Sequence, residues 1–342
     1  NCLFSYNLRN QSYMVHNRQV SREEFEEEKK KVLNGSYNNH LENLKKFDEV
    51  KLKSIRRYNN DLKSVNTTGN YNIECGNCTW CFSGYKTEDS RCVCSILNAK
   101  DTYYSYSVGS QPAEKVFGST VIKGGHNIKY SFNLFNSSDC TYCDSMISSN
   151  SCTASIALKK KDYHILNKAY SKEEYKEIME KLEEKEELKD APPKTFSAFA
   201  YNESAAGDYY PLKKEEAEKL GYRWQDDFQK TVGKETLMPS EIPDNIKETD
   251  GSILKEILKC TECDRNYQIN SREIHFLKEA PLPVPRQCPL CRMSKRTLER
   301  RPFKLWHRTC MNEECNNEFE TPYAPDKPEI VYCETCYQKA VV

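Results

Sequence analysis

The chain has 342 residues, enough for two or three domains, with 51 basic and 51 acidic side chains. Zero net charge excludes a global electrostatic pull toward nucleic acid or an anionic membrane. A mean hydropathy of -0.84 and the lack of any long apolar run exclude a membrane-spanning helix.

Asn1-Cys2-Leu3-Phe4 is neither a start methionine nor a signal peptide, and Cys2 opens the chain inside a repeat unit, so further units are expected upstream. Residues 2–32 align without a gap with residues 152–182. Cys2 matches Cys152, Ser5 Ser155, Leu8 Leu158, Tyr13 Tyr163 and Asn17 Asn167. Each copy reads as an extended segment followed by a helix. Ser21 and Ser171 are expected to cap the two helices, with Glu24 and Glu174 completing capping boxes. In the first copy the helix stops at Asn34-Gly35-Ser36, and a second amphipathic stretch carries Leu41, Leu44, Phe47 and Ile55.

Residues 66–165 are rich in Ser, Asn, Thr, Tyr and Cys. Short apolar clusters such as Phe132-Asn133-Leu134-Phe135 and Met146-Ile147 recur about every ten to fourteen residues. Asn, Ser and Asp corners separate them, which predicts short strands joined by tight turns. A right-handed parallel β-solenoid fits this pattern, with a β-sandwich as the alternative. Cys75-x2-Cys78-x2-Cys81, followed by Cys92 and Cys94, has the look of a metal or iron–sulfur ligand set. The plainer expectation is a buried ladder of free thiols acting as small apolar residues. A charged helix then runs into the linker Ala191-Pro192-Pro193. Beyond it lie a short helix from about Pro211 to Leu220, stopped by Gly221, and another near Ile253–Leu258.

The C-terminal cysteines state their chemistry most clearly. Cys260/Cys263, Cys288/Cys291, Cys310/Cys315 and Cys333/Cys336 are four close pairs, the ligand set for two tetrahedral all-cysteine zinc sites. Sequence proximity favours the first two pairs sharing one ion and the last two the other, with crossed pairing as the alternative. Four thiolates leave no open position, so both Zn2+ sites are expected to be structural. His275 and His307 are expected to be ordinary surface or packing residues. Helices are expected near Ser294–Arg301 and after Cys336.

The first module carries the chain's basic segment, Arg286, Arg292, Lys295, Arg296, Arg300, Arg301, Lys304 and Arg308, interleaved with Phe303 and Trp306. This is a candidate RNA or DNA contact; the alternative is solvated charge around aromatics that fill a small core. No phosphate loop or nucleophile elbow is present, and no histidine–carboxylate pairing stands out among the six histidines. Asn202-Glu203-Ser204, beside Tyr201, Tyr209 and Tyr210, could line a pocket, but a polar loop packed with aromatics is the favoured expectation.

Three stretches carry a family likeness: residues 163–175, residues 199–224, and the zinc region with Pro285-Arg286-Gln287-Cys288-Pro289-Leu290-Cys291-Arg292 and Pro328-Glu329-Ile330-Val331-Tyr332-Cys333. In them the chain resembles a family of zinc-ribbon proteins found in candidate-phyla (Patescibacteria-type) bacteria. Its last 30 residues resemble a small zinc-ribbon domain attached to varied bacterial proteins. The resemblance implies two zinc ribbons and a Cys-rich repeat region and brings no established activity. Cys310-x4-Cys315 departs from the Cys-x2-Cys usual there.

The expected architecture is mixed α+β. A Cys-rich β-solenoid-like region spans 1–182, with a helical insertion at about 21–63 and a terminal helix at about 171–190. A linker and small α/β connector follow at 183–250. Two four-cysteine zinc-ribbon or treble-clef-like modules occupy 251–308 and 309–342. The expected role is a non-enzymatic zinc protein that binds RNA or DNA through residues 286–308. Its rival is a protein–protein scaffold with a partner on the repeat region; an enzyme using residues 196–224 is the third class. Paired thiolates at metal spacing suit a reducing compartment, so the cytoplasm is the expected location.

Overall fold

From Tyr71 to Ser110, and again from Lys115 to Leu166, every third residue has a left-handed backbone; Asn77 lies at φ 53°, Asp89 at 48° and Asn133 at 58°. The region's wealth of Asn, Asp and Ser has a cause here, since short polar side chains tolerate this conformation best. The residue after each left-handed turn points inward, and nearly all are buried: Cys75, Cys78 and Cys81, then Val93 and Ile96, and later Ile122, Ile128 and Leu134.

Four such triplets make one twelve-residue winding. Thr79 lies beside Arg91, Val116 beside Ile128, Ile128 beside Cys140 and Cys140 beside Cys152, all in parallel. These windings build a sheet of twelve strands that ends in one antiparallel pairing, Asp162–Ile165 with Lys168–Ala169. Parallel pairing at constant offset is not the antiparallel pattern of a sandwich. Large apolar side chains stack in one interior column, Ile96, Ile122, Leu134 and Met146. Hydroxyls fill another. Ser119 N–H donates to Ser105 Oγ, Ser131 N–H to Ser119 Oγ and Cys143 N–H to Ser131 Oγ, at 3.1–3.2 Å. The buried hydroxyls are thereby hydrogen-bonded, as an interior requires. Gly109, at φ 108°, accommodates a close approach, because a Cβ there would lie 1.6 Å from the Leu97 carbonyl oxygen.

The computed structural model describes residues 1–226 and 231–341, and among these the fold is mixed α/β with eight α-helices. Two precede the ladder, α1 (Arg22–Val32) and α2 (Tyr37–Lys53), and α3 (Lys172–Glu184) follows it. Two short ones, α4 (Ala205–Tyr209) and α5 (Lys214–Lys219), lie in the connector. The C-terminal region holds α6 (Ser271–Glu279), α7 (Pro289–Leu298) and α8 (Glu334–Val341).

Several local expectations change. Ser171 and Glu174 form the full capping box, whereas at Ser21 only the serine cap is present and Glu24 pairs with Arg18 instead. In α2, Leu41, Leu44 and Phe47 are exposed and Val50 is the buried residue. Ile55 leaves that helix for a strand, Ile55–Arg57, which pairs in parallel with Ile330–Tyr332. Near Ile253 there is a 3-10 turn, Gly251–Leu254, and Leu258 begins a strand. The turn is short because Leu258 must reach across to pair with Tyr267.

Candidate metal centres and the segment between them

Each C-terminal cysteine set is built the same way, from a hairpin and the start of a helix. Strand Leu258–Lys259 delivers Cys260, whose N–H donates to the Arg265 carbonyl at 3.0 Å and closes a tight turn over Cys263. Cys288 is the N-cap of α7, Pro289 sits in the first turn, and Cys291 lies one turn in. In the second set, strand Trp306–Thr309 pairs with Glu318–Thr321, and the Cys310 N–H reaches the Asn317 carbonyl at 2.9 Å. Cys333 directly precedes α8, which carries Cys336.

The four sulfurs of Cys260, Cys263, Cys288 and Cys291 lie within 4.8 Å of one another, as do those of Cys310, Cys315, Cys333 and Cys336; each set can hold a metal ion. Crossed pairing does not occur. The wider Cys310-x4-Cys315 turn still converges, with the Cys315 N–H held by the Asn312 carbonyl. The sulfur spacing fits a closed tetrahedron. Four bonds of about 2.3 Å imply sulfurs about 3.8 Å apart. Cys263 and Cys288 are separated by 3.8 Å, and Cys315 and Cys333 by 3.9 Å.

Backbone donors are aimed at the sulfurs. Cys288 N–H donates to Cys260 Sγ at 3.2 Å and Cys333 N–H to Cys310 Sγ at 3.3 Å, the same contact in both sites. Burial opposes ionisation of Cys260, but the N–H groups of Cys288, Glu262 and Cys263 outweigh it and bring the thiol down to about 7. Cys333 behaves alike: burial is opposed by the Cys336 N–H and by neighbouring side chains, and the thiol falls to about 7. One thiolate in each site is thus stabilised by the chain, which eases metal capture. His275 faces Glu279 and His307 faces Glu318, and neither joins a cysteine set.

No protein-family model, curated protein or solved structure matches the chain.

The basic segment divides in two. Arg286 is buried; its guanidinium donates to the carbonyls of Val284, Ile242 and Pro243 and stacks on the Tyr37 ring at 4.4 Å. Arg292 pairs with Glu273, Arg301 with Glu329, and Arg308 donates to the Ala324 and Glu329 carbonyls. Lys295, Arg296, Arg300 and Lys304 remain exposed. Phe303 is half-buried and packs on Phe82 of the ladder and on Tyr209, while Trp306 is half-buried beneath Lys304. Between this segment and the ladder lies a cleft of about 530 Å³ whose walls include Arg56, Arg300, Tyr71 and Tyr323.

The other candidates resolve simply. Cys75, Cys78 and Cys81 are three successive inward positions of one winding, so their two-residue spacing is the ladder's own triplet. Among the described residues they form no group able to hold a metal ion. Cys81 is raised well above the usual thiol range by its hydrogen bonds with Cys75 and Cys78 and by burial. In residues 196–224 several polar side chains are committed to nearby backbone. Tyr201 Oη donates to the Tyr210 carbonyl and Asn202 bonds the Gln225 backbone, which suits an aromatic-packed loop. Missing from the sequence reading was the triplet period, visible in hindsight as Cys, Ser, Thr and aliphatic residues at every third position.

Proposed function

We propose that this is a non-enzymatic zinc-binding protein whose two closed sites are structural and whose exposed basic surface binds RNA or DNA backbones. The observation carrying this reading is the mutual placement of four thiols in each set, with amide donors on the sulfurs and no oxygen or nitrogen ligand among them. All-thiolate tetrahedra suit Zn2+ and leave no position for substrate. The hairpin-plus-helix build is read as treble-clef-like. The twelve-residue register of the ladder is read as a β-solenoid, and the cytoplasm is proposed as the compartment that keeps the thiols reduced. The likeness to candidate-phyla zinc-ribbon proteins rests on the motif residues alone.

Nucleic acid would meet Lys295, Arg296, Arg300 and Lys304, four cations that supply non-specific phosphate contacts. Elemental analysis is expected to find two zinc ions per chain, released on acidification as the thiolates protonate. Affinity for single-stranded RNA or DNA is expected to fall steeply with salt, and Arg296→Ala with Arg300→Ala to weaken it by about tenfold or more. Binding that ignores both salt and the double substitution would reject the nucleic-acid reading. A protein scaffold is the second reading, favoured by the exposure of Leu290, Met293 and Leu298 on α7. It predicts a partner that co-purifies after nuclease treatment.

A further inference from the structure

The ladder's outer face carries a column of left-handed residues that changes size along its length. Tyr71, Ser83 and Ser95 lie at φ 60°, 58° and 55°, and the pairings of Asn70 with Phe82 and of Phe82 with Cys94 set them side by side on successive windings. All three are exposed. One tyrosine followed by two serines leaves a recess beside a projecting ring. The segment after α7 closes the recess from the other side with Arg300, Arg301 and Phe303, and Arg56 reaches it from the strand that pairs with Ile330–Tyr332. The resulting cleft of about 530 Å³ falls within the span of about 300–1,000 Å³ typical of small-ligand sites.

The chain is neutral overall, but the cleft is not: three arginines and one glutamate line it. Arg301 is matched by Glu329 at 2.8 Å, and Glu299 lies 3.8 Å from Lys51. Arg56 and Arg300 have no carboxylate partner among the described residues. Arg56 gives one N–H to the Lys51 carbonyl at 3.2 Å, and its Nε is buried with no acceptor among the described residues. Arg300 gives one N–H to Tyr209 Oη at 2.8 Å and is exposed. A half-buried guanidinium with an unused donor and no counter-charge is costly, and an anion beside it would offset that cost. Aromatic rings make up much of the remaining wall. Tyr209 stacks on Phe303 at 4.9 Å, and Phe303 packs in turn on Phe82 at 5.4 Å. Arg301 covers Tyr323 at 4.3 Å. Tyr71 is the most open of the rings lining the cleft, with 54% of its surface exposed.

We propose that this cleft holds one nucleotide of a single-stranded RNA or DNA, its base stacked on Tyr71 and its phosphate between Arg56 and Arg300. The proposal rests on the nucleic-acid reading of the basic surface and gives it a specific seat. Lys295, Arg296 and Lys304 would meet flanking phosphates outside the cleft, and the strand would turn inward at one unpaired base. Stacking on a ring and charge on a guanidinium together suit a base with its phosphate, whereas a bare anion would use the arginines alone. A duplex keeps its bases stacked inside and offers none to Tyr71, so single strands are preferred. Ser83 and Ser95 add hydroxyls that both donate and accept, and ring stacking tolerates any base.

The test uses a fluorescein-labelled thymidylate decamer, its binding to the full chain followed by anisotropy across a salt series. Tyr71→Asn removes the ring and keeps a residue suited to the left-handed backbone. Ser83→Tyr fills the cleft with a side chain that the same column already carries at Tyr71. One variant empties the site and the other blocks it, so the result does not hang on a single change. Each is expected to weaken the decamer about tenfold while the slope of log affinity against log salt stays as it was, because neither removes a cation. Arg296→Ala, outside the cleft, is expected to lower both affinity and slope. Thymidine 5′-monophosphate alone is expected to compete only weakly. The proposal is overturned if the decamer binds and loses affinity with Arg296→Ala while both cleft variants bind it as the native chain does; the nucleic-acid reading then survives on the outer surface alone. It is also overturned if the monophosphate binds as tightly as the decamer, which would assign the cleft to free nucleotides. A decamer that fails to bind even at low salt removes the nucleic-acid reading itself, and this site with it.

Discussion

Arg286 illustrates how far charge alone misleads. In sequence it belongs to a run of eight basic residues, but its guanidinium binds carbonyls 43 and 44 residues upstream, at Pro243 and Ile242. Burial lowers its basicity, and carbonyl acceptors and the Tyr37 ring replace a carboxylate partner. Removing it would leave three carbonyls without a donor inside the protein. Arg286→Ala is therefore expected to destabilise the fold by about 2–4 kcal/mol, seen as a lower urea midpoint. The salt dependence of the proposed nucleic-acid binding should be unchanged, since an interior cation makes no phosphate contact. The cysteine ligands were legible because a tetrahedral ion demands short, paired spacings. The separation of interior from exterior arginines was not, because it depends on acceptors distant in sequence.

At the scale of elements, the ladder obeys a period that periodicities of 2 and 3.6 do not capture. Apolar clusters about ten to fourteen residues apart were visible, so short strands were expected. The triplet was hidden because its inward positions accept Cys, Ser, Thr, Gly and aliphatic residues alike. What they share is the lack of an aromatic ring. Gly84 marks the limit. A Cβ there would sit 2.6 Å from Cys81 Sγ and 2.9 Å from Cys75 Sγ. Gly84→Ala is expected to cost about 1–3 kcal/mol in thermal or urea unfolding, as overpacking does. Gly76→Ala, where nothing lies within 4 Å, should cost much less. The three thiols thus act as volume in a crowded cross-section, and the apparent metal motif of Cys75, Cys78 and Cys81 follows from geometry.

Across the whole molecule, the second metal centre is tied to the N-terminal helices. Strand Ile330–Tyr332 leads into Cys333 and pairs with Ile55–Arg57; Arg57 also pairs with Glu334, and Thr321 donates to the Tyr58 carbonyl. Chelating the metal is therefore expected to loosen more than the last module. Hydrogen exchange should speed up at Ile55–Arg57 while the interior of the ladder, around Ile122 and Leu134, keeps its protection. Uniform loss of protection, or none at Ile55–Arg57, would contradict this coupling. Nothing in the local sequence of residues 55–57 announces a partner so far away; their brevity made them look like the tail of α2.

That pairing has a consequence for how the chain is made. Arg57 and Glu334 are 277 residues apart, and the contact between them cannot form until Glu334 has left the ribosome. The ladder is assembled from neighbours twelve positions apart and can complete itself long before. Capture of an ion by Cys310, Cys315, Cys333 and Cys336 would then follow the ladder and draw Ile330–Tyr332 onto Ile55–Arg57. Where the metal is scarce, newly made chains would accumulate with a finished ladder and this pairing unmade, exposing the Ile55–Arg57 strand edge to proteolysis.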